Sequence, residues 1–211
     1  MIQAWTMHTT KQLIIPDRHI VKDYSVLTGY DPKTGEKDEG AAALDLMKYW
    51  RNNGVGGHKI IAFASVDHTD KTLIAQTLYL FGGLFGGLQL PRSIIGQKVW
   101  SLLPTGTKGD GKVGSYGGHA VTVLDYDKEG LTCISWGRKQ KMTWDFWNAY
   151  ADEAYVVLSH HFLKHNKTPA GFSLSSLEKD LMSVTGQKVK LSKQLSAAEK
   201  KQGAKAKKKR K

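Results

Sequence analysis

Apolar residues recur at helical spacing through the first quarter of the chain and at strand-like spacing through much of the rest. Met1, Ile2, Ala4 and Trp5 fit the last turns of an amphipathic helix. Pro16 and Asp17 open a second helical pattern carried by Ile20, Val21, Tyr24 and Leu27, which Gly29 closes ahead of the turn-rich stretch DPKTGEKDEG. AAALDLMKYWRNN predicts a third helix stopped by Gly54, with Leu44, Met47 and Trp50 on a core-facing stripe. From Lys59 the pattern changes. KIIAFASV reads as a short strand, and HTDKTLIAQTLYLFGG as a helix capped by Thr69 or Asp70 and ended by its glycine pair. GLFGGLQLP reads as a buried strand whose glycines mark close backbone approach. The strongest local signal is GGHAVTVLDYDKEGLTCISWG, two β-rich runs around Asp127-Lys128-Glu129-Gly130, which predicts an antiparallel hairpin. MTWDFWNAYADEA then predicts a helix capped by Thr143, AYVVLS a last strand, and SLSSLEKDLMSV a short docking helix. No internal repeat is found. Helices first and mostly antiparallel strands later predict an α+β fold, N-terminal helices packed on a bent antiparallel β-sheet.

Composition narrows the picture. The 211 residues are 40% hydrophobic, enough for one core and not calling for two folded domains. The expected organisation is a domain over 1–165, a docking helix or linker over 166–185 and a disordered lysine-rich tail over 186–211. No apolar run approaches the roughly 18 residues of a membrane span, and the first residues lack the layout of a secretory signal. A non-membrane, cytoplasmic protein is expected. The net charge of +12 is concentrated: residues 175–211 carry twelve Lys or Arg against three Asp or Glu, leaving only a small excess elsewhere. A basic tail of this kind touches phosphates non-specifically or serves solubility alone, because charge without base-reading groups has no register.

The chemistry centres on one histidine. His119 follows Gly117-Gly118 at the start of the hairpin's first strand, where its ring can project from the strand end into a cleft as a general base. Gly118-His119-Ala120-Val121, the strand ending in Asp125-Tyr126 and the run closing on Ser135-Trp136-Gly137 resemble the papain-like pattern GHAV…GY…NSWG. The resemblance is to the papain-like cysteine peptidase superfamily, and MTWDFWNAYADEAYVVLS is similar to the way related bacterial peptidase-like domains finish. It spans about Tyr24 to Ser159 and implies a papain-like fold, His119 as base, a later-strand residue that orients it, and Gly117, Gly118 and Trp136 against a peptide or protein substrate.

Two departures shape the functional expectation. The family's nucleophilic cysteine precedes the histidine at a helix N-terminus, yet no cysteine precedes His119, and Met1–Trp5 resembles the later part of that helix. The oxyanion-hole glutamine is missing with it. Aligned on Ser135-Trp136-Gly137, Ile134 falls where the family has asparagine; a one-residue shift of register puts Ser135 there, whose hydroxyl can orient an imidazole. The expectation is a papain-like domain inactive for want of its thiol. The alternatives are an active thiol peptidase or amidohydrolase once extended upstream, and a nucleic-acid-associated protein using the tail.

Other features predict little chemistry. Cys133, the one cysteine, lies mid-strand, where a thiol behaves as a small buried hydrophobe with a raised pKa. His160 and His161, adjacent on a strand, would face opposite sides and share no ion, and with His165 they suggest surface histidines, so neither metal nor cofactor is expected. GGLFGG lacks the Lys-Ser/Thr of a phosphate loop. PTGTKGDGKVGSYGG, just before His119, reads as a rim of the cleft, either lid or slack.

Overall fold

The computed structural model describes residues 1–7, 12–163 and 167–185. The elements run α1 (Ile2–Thr6), α2 (Asp17–Thr28), α3 (Ala43–Asn52), β1 (Ala62–Ser65), α4 (Lys71–Phe81), β2 (Leu84–Leu90), β3 (Val99–Trp100), β4 (Gly117–Tyr126), β5 (Gly130–Ser135), β6 (Arg138–Thr143), α5 (Trp144–Tyr150), β7 (Ala151–Leu158) and α6 (Leu174–Thr185). Local chemistry explains the boundaries. Gly29 and Gly82 end α2 and α4 in the left-handed conformation that only glycine adopts cheaply. The Asp70 carboxylate caps α4 by accepting from Leu73 N at 3.0 Å, and the Thr143 hydroxyl caps α5 by accepting from Phe146 N at 3.1 Å.

Among the described residues the strands form one sheet in the order β1-β7-β2-β4-β5-β6-β3, antiparallel throughout except for the β3–β6 pair. The α+β class expected from sequence is therefore observed. Burial explains why β2 and β7 are central: every residue of β2 but Gln89 is buried, and the last five of β7 are buried on both faces. On one face α4, α5 and α6 cover Leu84, Leu88, Val121 and Val123 with Phe81, Trp147, Tyr150 and Leu181. Gly86 lets this layer close, since a Cβ there would stand 2.8 Å from the Trp147 ring. On the other face α1 and α3 bring Trp5, Met47 and Trp50 onto Phe85, Tyr155 and Val157. That second layer stops short of β4, leaving Gly118 and Ala120 exposed and Leu124 half-buried.

Several expectations need correction. α2 forms, but none of its residues is buried, and Leu44 of α3 is 41% exposed, while Met47 and Trp50 are core. The helical period was real, but these positions lack a facing layer. ADEA is not the end of a helix: Ala151 turns extended and β7 begins, because pairing with both β1 and β2 outweighs the helix propensity of Ala and Glu. β3 and β6 carry no sequence pattern of their own, being short or polar, and were missed. The docking helix is integral, with Leu177 and Leu181 fully buried in the principal core. His165 and the tail 186–211 lie outside the described residues.

Candidate functional site

The predicted hairpin forms around the Asp127–Glu129 loop, where Asp127 Oδ1 accepts from Glu129 N at 2.8 Å and Gly130 N at 2.9 Å. These bonds, with Lys141 beside them, hold the Asp127 carboxyl below the ordinary carboxylate range. The hairpin fixes where its far end goes. His119, opposite Leu88 on β4, comes beside the last residue of β5, and His119 Nε2 lies 2.8 Å from Ser135 Oγ. Ile134 alternates to the other face, half-buried. Of the two candidate orienters, the fold thus brings Ser135 to the imidazole.

Trp136 and Gly137 form a two-residue turn between Ser135 and Arg138, and both take positive φ, 45° and 75°. A primed hairpin turn demands this; glycine meets the demand freely, whereas tryptophan is held there against its preference. The gain is positional. The turn lays the Trp136 indole on the His119 ring, centroids 4.3 Å apart and planes 25° apart. Trp100 meets both rings edge-on, and Tyr116 meets Trp136 likewise at 6.2 Å. Inside this aromatic enclosure burial lowers the His119 pKa below that of an ordinary histidine, so the neutral ring dominates at neutral pH.

A serine bonded to a histidine invites a nucleophile reading, against which its burial counts. Ser135 is only 3% exposed, and what its oxygen meets is the His119 ring. With Nε2 committed to Ser135, Nδ1 is the ring's other nitrogen. Cys133 is fully buried, and burial pushes its thiol up to about 12, the opposite of what an attacking thiolate needs.

A groove of about 680 Å³ runs over this end of the sheet, and His119 is among the residues that line it. Its walls are the Asp38–Ala43 segment, Gln89 and Gly87 of β2, Gly118 and Ala120 of β4, and Asp152 and Glu153 of β7. A bulge between Gly87 and Leu88 explains the last pair: the register slips by one against β7, so two consecutive side chains reach the same side. Gly87 makes room for them, since a Cβ there would stand 2.6 Å from Asp152 Oδ1. Gln89 Nε2 donates to Asp152 Oδ2 at 2.7 Å. Burial, opposed by a bond from Tyr155 and reinforced by the charge of Asp152, pushes the Glu153 carboxyl up. The groove thus carries four carboxylates, from Asp38, Glu39, Asp152 and Glu153, and among the described residues no lysine or arginine lines it.

Of the residues expected at the site, His119 and Ser135 are bonded, Trp136 covers them, Gly118 lines the groove, and Gly117 precedes it with φ 129°. The acidic walls were not anticipated; Asp38 and Glu39 read as turn residues and Asp152-Glu153 as helix. The rim loop is stitched down, not slack: Gly114 N and Tyr116 N donate to the carbonyls of Gln89 and Leu90, and Tyr150 Oη donates to Gly111 O at 2.7 Å. His160 and His161 stand on a 3₁₀ turn and not on a strand, so the alternation argument does not apply to them. Among the described residues, no three His, Cys, Asp or Glu side chains gather to hold a metal, and no helix is long and apolar enough to cross a membrane. Compared with family models, curated proteins and solved structures, the chain matches none of them.

Proposed function

We propose that this is a papain-like cysteine-peptidase-type domain that carries the base half of a thiol–imidazole pair and does not itself cleave peptides. The observation that supports the reading is the bond from His119 Nε2 to Ser135 Oγ beneath the Trp136 indole, at the edge of an open groove. A hydroxyl accepting from Nε2–H holds the tautomer that leaves a lone pair on Nδ1, as a base toward a thiol requires. The lowered pKa keeps that lone pair unprotonated at neutral pH. The missing part is the thiol, because the one cysteine is buried in the core. The acidic walls favour a peptide with a basic side chain.

The test is labelling with a thiol-directed electrophile located by mass spectrometry, on this chain and on the same chain extended upstream in its reading frame. Cys133 in the folded chain should label far more slowly than a free thiol, and peptides should survive. An upstream cysteine that labels rapidly, and more slowly after His119→Ala, would convert the reading to an active thiol hydrolase. Peptide cleavage by the unextended chain would overturn it.

A further inference from the structure

A second histidine cluster stands apart from the groove, at the β1–β7 side of the sheet. His58, in the loop between α3 and β1, and His161, on the 3₁₀ turn after β7, face each other with His58 Nδ1 3.1 Å from His161 Nε2. Their rings meet edge to face, 64° between planes. Both rest on braced backbone. His58 exchanges two 3.0 Å backbone bonds with Val55 and accepts from Trp50 Nε1, while the His161 amide is held by the Ser159 hydroxyl.

From this geometry we propose that His58 and His161 form a two-nitrogen site for a divalent transition ion of the zinc, nickel or copper class. At their present 3.1 Å separation the two nitrogens would subtend roughly 100° at an ion about 2.05 Å from each, between the square-planar and tetrahedral angles, once the rings turn from facing each other to facing the ion. Imidazole suits this class of ion, and both rings are half-buried, which leaves the remaining coordination positions open to water. The proton now lying between the facing nitrogens moves to the far nitrogen of its own ring, so two lone pairs meet the ion without a change of charge. The ion would clip the loop after α3 to the segment after β7, elements 103 residues apart in sequence.

The experiment is calorimetric titration of the full chain with zinc ion at neutral pH, beside His58→Ala, His161→Ala and, as control, His19→Ala on the exposed side of α2. One saturable site is expected. Each of the first two substitutions should weaken it by more than the roughly 10–100-fold that losing a mere outer-shell partner costs, and the control should leave it unchanged. Undiminished binding in both variants overturns the proposal. If either variant fails to fold, diethyl pyrocarbonate modification of the unaltered protein decides. Zinc should protect His58 and His161 together, and failure to protect them overturns the site.

Discussion

Replacing Ser135 with alanine tests the site most directly. The substitution removes the one oxygen 2.8 Å from His119 Nε2, and at 3% exposure no water takes its place without rearrangement. A neutral hydrogen bond contributes about 0.5–1.5 kcal/mol and one to a charged group about 1.5–3 kcal/mol. Ser135 as acceptor therefore favours the imidazolium over the neutral ring by about 1 kcal/mol, roughly fivefold in proton affinity. Ser135→Ala should lower the His119 pKa further by that factor and release the fixed tautomer, with a stability loss of about 1 kcal/mol in urea. Long-range proton–nitrogen correlation spectra through a pH titration report both quantities. An unchanged titration and tautomer would refute an orienting role. A rise in proton affinity would mean that the hydroxyl donates to Nε2, placing the proton on Nδ1 and leaving that nitrogen no lone pair to act as base.

Trp136→Ala should raise the His119 pKa toward the ordinary value, since burial is what lowers it; the same titration checks this, and the half-exposed indole should cost little stability. Gly86→Ala should destabilise by about 1–3 kcal/mol in urea unfolding, because its methyl collides with the buried Trp147 ring. His119 and His161 are both held below the ordinary 6.5 in the fold, so the unfolded chain binds more protons in the window beneath that value. Their contribution is present above about 6.5 and is lost as pH falls through the native values, so Tm should drop as pH falls below about 6.5, and a flat profile refutes it. If the lysine-rich tail contacts nucleic acid, binding should fall steeply with salt and vanish on removal of residues 200–211, as filter binding across salt concentrations shows.

The 3.6-residue and two-residue periods, the glycine stops and the caps at Asp70 and Thr143 are local properties, and they are enough to read most helices, the central strands and the β4–β5 hairpin directly from the chain. The place of His119 near the start of β4 was legible from the two glycines ahead of a strand pattern, and the burial of Cys133 because a mid-strand thiol is apolar. The choice between Ile134 and Ser135 was not legible: it turns on a single-residue register, which the pairing of β4 with β5 and the Trp136-Gly137 turn decide together. The acidic groove required a bulge between Gly87 and Leu88, and the His58–His161 contact required two distant segments to meet. Such features depend on which strands become neighbours, a property of the whole packed sheet that no window of the chain contains.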